Sequence, residues 1–334
     1  MIICFWRLSE VSLVCVFFLI GILLSLSACC PSAVTSPGRP SPADSTWVVS
    51  ANGANASIPT MTIPEKGFTP APIVSSASAP GTLEAALKTP MPVKESLTIT
   101  IVYDNNAYDA RLKLAWGFSA LVKYRGHTLL FDTGGDGPTL MENMRILGID
   151  PTQIGRVVLS HAHGDHTGGL NALLESGARP TVYLPASFSA SFKDQLGRRT
   201  EVIEVTPGLL IAEGIFTTGE MGGSIREQSL VIQTDQGLVV VTGCAHPGIV
   251  EIVEQAKTLF DDPVRLVLGG FHLGSKSRAE IDAILIDFRR LGVEQVAPCH
   301  CTGDLAIAMF AAEYEEDFIR AGVGKVIVIS EGEN

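Results

Sequence analysis

Regular alternation begins at Leu97, where Leu97-Thr-Ile-Thr-Ile-Val-Tyr103 repeats apolar and polar side chains with the two-residue period of a strand. Similar runs predict strands at Phe118–Lys123, His127–Phe131, Arg156–Ser160, Thr181–Leu184, Ser229–Thr234, Leu238–Thr242, Arg265–Leu268 and Lys325–Ile329. Helices are expected over Gly137–Leu147 and Thr167–Ser176, and Ile281, Ile284, Leu285 and Phe288 recur at i, i+3, i+4 and i+7, which puts them on one helical stripe. Strands in early hairpins followed by strand–helix alternation predict an α/β (α+β) domain of two mixed sheets packed face to face, with helices outside.

Upstream of Ser96 the pattern is different. An apolar run from Val11 to Ala28, preceded by the single cation Arg7, reads as an export signal or a membrane anchor. It ends in Leu26-Ser27-Ala28-Cys29, which resembles the lipobox of bacterial lipoproteins and would make Cys29 the lipidated first residue of the mature chain. The alternative is an uncleaved helix, because about 18 apolar residues is also the lower limit for a span. Both readings put the domain outside the cytoplasm, tethered to a membrane by a lipid or a helix. Residues 29–95 are rich in Ser, Pro, Ala and Thr without a sustained period, the composition of a tether. The expected organisation is therefore signal 1–28, tether 29–95 and catalytic domain 96–334.

The net charge of −11 and the absence of a Lys/Arg cluster argue against nucleic acid as the partner and for a small-molecule substrate. Of seven cysteines, Cys4, Cys15, Cys29 and Cys30 belong to the signal and its junction, leaving Cys244, Cys299 and Cys301 in the domain. All three sit beside histidines, so a role in or around a metal site is favoured over a disulfide framework. With one residue between them, Cys299 and Cys301 are poorly placed to bridge, and both are read as packing residues flanking His300.

Six of the seven histidines fall in four short segments at or just after expected strands. Ser160-His-Ala-His-Gly-Asp-His-Thr-Gly-Gly169 puts three imidazoles and a carboxylate into six positions. Alternation at a strand end aims His161 and His163 the same way, towards one ion, and a turn at Gly164 brings Asp165 and His166 to a second point. This HxHxDH run resembles the signature of the metallo-β-lactamase superfamily, and Leu130-Phe-Asp132-Thr-Gly resembles its early strand-end aspartate, a residue that orients the ligands. Val241-Thr-Gly-Cys-Ala-His246, Gly269-Gly-Phe-His272 and Pro298-Cys-His300-Cys-Thr-Gly resemble the later motifs of the branch that contains the dihydropterin-ribofuranosylaminobenzene 5'-phosphate synthase.

The resemblance implies a four-layer αβ/βα sandwich holding one or two divalent ions, zinc first, with manganese, iron or magnesium compatible with the ligand set. It implies His161, His163 and His246 at one ion, and Asp165, His166 and His300 at the other. It also implies substrate contacts at Asp104 and Asn105, which follow the first strand as in that branch. The chain departs from the superfamily pattern in having no histidine between Pro207 and Gln228, where many members place a ligand, and in having Cys244 at the place of the usual bridging aspartate. Cys244 is either a thiolate ligand or a packing residue. His272 is a ligand, a proton donor to the leaving group, a contact to a substrate anion, or a hydrogen-bonded residue of the cleft.

The implied activity is a hydrolase in which a metal-bound hydroxide attacks an ester or phosphoester, with Asp165 and His272 as the catalytic side chains. Alternatives are a transferase of the synthase type and a non-catalytic, metal-stabilised binding lipoprotein. Mass analysis of the membrane-extracted protein is expected to show a chain starting at lipidated Cys29; an intact amino terminus would assign the helical anchor instead.

Overall fold

A computed structural model describes residues 96–330. The signal 1–28, Cys29 and the tether 29–95 lie outside the described residues, and no helix among those described is long and apolar enough to cross a membrane.

The architecture follows from strands that are apolar on both faces. In β3 (His127–Phe131), Leu129 and Phe131 point one way and Leu130 the other, and all three are completely buried. β10 (Gly237–Thr242) and β11 (Val264–Gly270) repeat the arrangement with Val239 and Val241 against Val240, and Leu266 and Leu268 against Val267. Such strands need cover on each side, which makes them the middle layers of a sandwich.

The first sheet has seven strands: β13 (Val326–Ile329), β1 (Leu97–Tyr103), β2 (Ser119–Tyr124), β3, β4 (Arg156–Val158), β5 (Thr181–Pro185) and β6 (Val202–Val205), in that spatial order. It is antiparallel from β13 to β3 and parallel from β3 to β6. The second has six, in the order β12 (Val293–Cys299), β11, β10, β9 (Leu230–Thr234), β8 (Ile215–Thr217) and β7 (Leu210–Ala212). There β10, β11 and β12 run parallel and the others antiparallel.

The inner faces of both sheets share one core, in which Ile99, Ile101 and Phe131 belong to the same cluster as Ile232, Val241 and Leu266. The outer face of the first sheet is covered by α1 (Gly137–Leu147), α3 (Leu170–Glu175) and α4 (Ala190–Gly197), through Leu140, Met144, Leu173 and Leu196. The outer face of the second is covered by α5 (Ile249–Leu259), α6 (Arg278–Arg290) and α7 (Asp304–Tyr314), through Ile252, Ile281, Phe288 and Phe310. The chain thus has the four layers expected of it, two mixed sheets with helices outside.

Several local expectations change. The strand expected to reach Ser160 stops at Val158, so the histidine segment starts from a turn. The helix expected over Thr167–Ser176 is split into α2 (Gly164–Thr167) and α3, because Gly168 donates its N–H to Gly134 O and a side chain there would run into Gly135 O. No strand was expected between Leu184 and Ser229, yet β6, β7 and β8 lie there. Pro298 obscured β12 in the sequence, yet it is tolerated there because β12 is the edge strand of its sheet.

Leu266 is fully buried between the sheets. Leu266→Ala is expected to lower the unfolding free energy by about 2–5 kcal/mol, measured by urea denaturation.

Candidate metal centre

Parallel strands deliver their following residues to a common edge, and here each of four strands is followed by a chemically distinctive turn. Asp132 follows β3, Ala245 lies in the turn after β10, His272 follows β11 and His300 follows β12, and all four residues have left-handed backbones with φ between 49° and 59°. A non-glycine residue in this region costs on the order of 1–3 kcal/mol, so such strain persists only where surrounding contacts enforce it.

The enforcing contacts are polar and buried. Asp132, with no exposure, accepts from Ser160 N through Oδ1 (2.7 Å), and from Ser160 Oγ (2.7 Å) and His166 Nδ1 (2.6 Å) through Oδ2. Gly243 leaves room for this triad, since a Cβ there would lie 3.0 Å from Asp132 Oδ2 and against Ser160 Oγ. On the second sheet the fully buried Glu227 accepts four backbone N–H groups: Gly243 (3.2 Å), Cys244 (2.9 Å) and Ala245 (2.9 Å) at Oε1, and His246 (2.9 Å) at Oε2. Burial pushes its carboxyl above the usual range, while those N–H groups and His166 pull it back. Gln228 joins the two sheets, donating to Leu159 O (2.9 Å) and accepting from Thr217 Oγ1 (2.6 Å).

Three imidazoles are oriented from behind. His166 Nδ1 meets Asp132, His161 Nδ1 lies 2.9 Å from Ser160 Oγ, and His300 Nδ1 lies 2.9 Å from Asn105 Oδ1. Asp132 accepts through both oxygens from Ser160 N and Oγ, which leaves Ser160 Oγ an acceptor towards His161, and Asn105 Nδ2 donates to His300 O, which leaves its Oδ1 the acceptor, so each ring carries its proton on Nδ1. The three Nε2 lone pairs are left for the interior. This is the arrangement by which proteins hold metal-ligating histidines.

What they face is a run of donor atoms. His166 Nε2 lies 3.2 Å from Cys244 Sγ and 3.7 Å from Asp165 Oδ2, and His300 Nε2 lies 3.4 Å from the same Asp165 oxygen. Asp165, His166, Cys244 and His300 each offer a donor atom within 4.8 Å of the others. His161, Cys244 and His246 form a second such group, with His163 Nδ1 3.0 Å from His161 Nε2. His246 Nε2 is buried with no hydrogen-bond partner. A buried orphan nitrogen costs about 1–3 kcal/mol, and a divalent ion removes that cost, so the residues present fit the implied metals.

Electrostatics keep these groups in ligating form. Burial, reinforced by His166, His246 and His163, holds His161 far below the ordinary histidine range, and burial beside His272 lowers His246 to about 4. Burial pushes Asp165 up, but the neighbouring His300 and His166 imidazoles outweigh it and hold the carboxyl well below its usual range.

Other expected site residues are placed differently. Asp104 is completely buried and accepts from Asn106 N (2.6 Å) and Nδ2 (2.8 Å) through Oδ1, while Asn105 Oδ1 faces His300 Nδ1. Cys299 packs in the core between the sheets, as its flanking position suggested. Cys301 does not: with Cys244 and His272 it forms a third group of donors within 4.8 Å. His272 is exposed, lies with its ring tilted 4.4 Å from that of His246 and lines a cavity of about 450 Å³ with Lys276 and Phe271. Glu227, Gln228 and Ser160 were not singled out in the sequence, because each acts on backbone or on residues far along the chain and leaves no local spacing.

A family model for the metallo-beta-lactamase superfamily matches residues 117–257. The chain is 29% identical over 280 residues to the 7,8-dihydropterin-6-methyl-4-(beta-D-ribofuranosyl)-aminobenzene-5'-phosphate synthase of Methanocaldococcus jannaschii, covering 68% of this chain and 95% of the relative. A shorter likeness, 43% over 58 residues and 17% of each chain, is to ribonuclease Z of Nanoarchaeum equitans. The crystal structure of Tm1679, a metal-dependent hydrolase of the beta-lactamase superfamily, superposes with a TM-score of 0.60 at 30% identity, covering 70% of this chain and all of that one.

Glu227→Gln replaces one acceptor oxygen by a donor facing N–H groups. Metal affinity is expected to fall about 10- to 100-fold with every ligand side chain intact, measured by competition with a chromogenic chelator.

Proposed function

Because the chain belongs to the metallo-β-lactamase superfamily, we propose that it is a metal-dependent hydrolase acting on a small ester or phosphoester. The observation that carries this reading is the convergence of His161, His163 and His246 beside Asp165, His166 and His300, with Cys244 between the two sets. The first set would hold one ion and the second another. A bound divalent ion supplies Lewis acidity and lowers the pKa of its water towards about 7.

The chain's own residues do the rest. Asp165 stays ionised and half-buried at the opening, where it accepts a hydrogen bond from the attacking water and fixes its direction. Asp132 and Asn105 hold the His166 and His300 rings, and Glu227 holds the loop that presents Cys244 and His246. The cavity beside His246 and His272 has the volume for a small substrate's leaving group. His272, expected as the acid for that group, lines this cavity and hydrogen-bonds the sulfur of Cys301.

The long likeness to the M. jannaschii synthase supports a second reading, transfer rather than hydrolysis. The amino-terminal segment, read as an export signal, favours an extracytoplasmic, membrane-tethered hydrolase over a synthase. The ribonuclease Z likeness keeps phosphodiesters in view, and with them nucleic acid, which the acidic charge had argued against.

The test is a screen of metal-analysed protein against phosphomonoester, phosphodiester, lactone and β-lactam chromogens. Activity is expected to vanish with a chelator and to return with zinc or manganese. His161→Ala should lose metal and turnover together, and Asp165→Asn should lower kcat by about 10²-fold or more. Turnover that survives both chelation and Asp165→Asn would refute the proposal, and pterin transfer without hydrolysis would select the second reading.

A further inference from the structure

The third donor group shares Cys244 with the centre and adds two side chains, His272 and Cys301, that neither of the two ion sets includes. Cys244 Sγ, a ring nitrogen of His272 and Cys301 Sγ lie within 4.8 Å of one another, and His272 also lines the 450 Å³ cavity. Their placement is built. His300–Thr302 is a 3₁₀ turn, in which successive side chains diverge by about 120°, so His300 points to Asp165 while its neighbour Cys301 points to Cys244 and His272. Gly270 makes room for this sulfur, since a Cβ there would lie 2.7 Å from Cys301 Sγ. The left-handed backbone of His272, φ 54°, turns its ring back over the loop, where it hydrogen-bonds the Cys301 sulfur. Cys299, two residues earlier, shows what a packing cysteine looks like in this chain: it has no exposure and lies among apolar side chains.

Two sulfurs and an imidazole are soft donors that select thiophilic ions over magnesium or manganese. Three protein ligands leave a tetrahedral ion one position for an exogenous donor. We propose that Cys244, His272 and Cys301 form a further binding site for a thiophilic divalent ion of the zinc class, with the Cys244 thiolate shared with the adjoining histidine–aspartate centre. The proposal rests on the reading of Cys244 as a ligand of that centre. Binding displaces the thiol protons to solvent and involves no redox step.

The test uses the full chain, stripped of metal under reducing conditions and reloaded with isotopically labelled cadmium. Cadmium NMR of the wild type is expected to show a strongly deshielded, sulfur-ligated resonance in addition to nitrogen- and oxygen-ligated ones. Cys301→Ser and His272→Ala should each bind one ion fewer and lose or shift that resonance, with circular dichroism unchanged. The pair guards against a single variant that misfolds. If both variants bind as many ions as the wild type with the sulfur resonance intact, the site does not exist. Thiol titration showing Cys244 and Cys301 joined in a disulfide before reduction, with no sulfur-ligated cadmium after it, would overturn the proposal as well. If instead His161→Ala costs the wild type no ion while Cys301→Ser does, the hydrolase reading fails and the sulfur site stands.

Discussion

The centre depends on a carboxylate that never touches the reaction. Glu227 is buried without a cation beside it, a placement that costs several kcal/mol unless hydrogen bonds restore what water provided. Four consecutive N–H groups, Gly243 to His246, supply that compensation and in doing so fix the backbone of the loop. The loop cannot relax from its left-handed turn at Ala245 without uncovering the charge. Cys244 and His246 are therefore placed by electrostatics acting on the main chain, and their side chains remain available.

Asp132 plays the corresponding part in the first sheet, but through side chains. It ties Ser160 and His166 together, and through Ser160 Oγ it sets the proton on His161 as well. The two carboxylates are complementary: one sets the tautomers of the histidine segment, the other the path of the facing loop. Glu227 Oε2 also lies 4.0 Å from His161 Nδ1, so the two arrangements meet at that ring. Strain at Asp132 and Ala245 is sustained by these bonds, which explains why non-glycine residues occupy positions where glycine would fit more easily.

How much of this was legible depends on whether a residue acts locally. His161, His163, Asp165 and His166 announce themselves by density, and Asp132 by its strand-end turn beside them. The apolar runs at β3, β10 and β11 gave two-sided burial, and with it the layered architecture. Glu227 and Gln228 were invisible because hydrogen bonds to main chain across the fold impose no spacing. Cys301 was misread because an extended segment was assumed where the chain makes a 3₁₀ turn, which redirects every side chain after Cys299. Asp104, expected from the resemblance alone, is completely buried and hydrogen-bonds Asn106 in its own turn and the thiol of Cys299.

The pairing of β1 with β13 has a temporal meaning. Leu97 lies opposite Ile329 and Thr100 opposite Val326, so the first described strand waits for one more than 220 positions later before its outer edge is filled. His161 and His166 emerge from a ribosome or a translocation pore well before His246 and His300, and half a metal centre with free imidazoles precedes the whole. Contacts of such separation form slowly. An ion met by the early half alone would find His161, His163, Asp165 and His166 but not Cys244, His246 or His300, so the full donor set exists only once the second sheet has formed. The compartment in which the last strand docks is then the one whose metal supply decides what the centre contains.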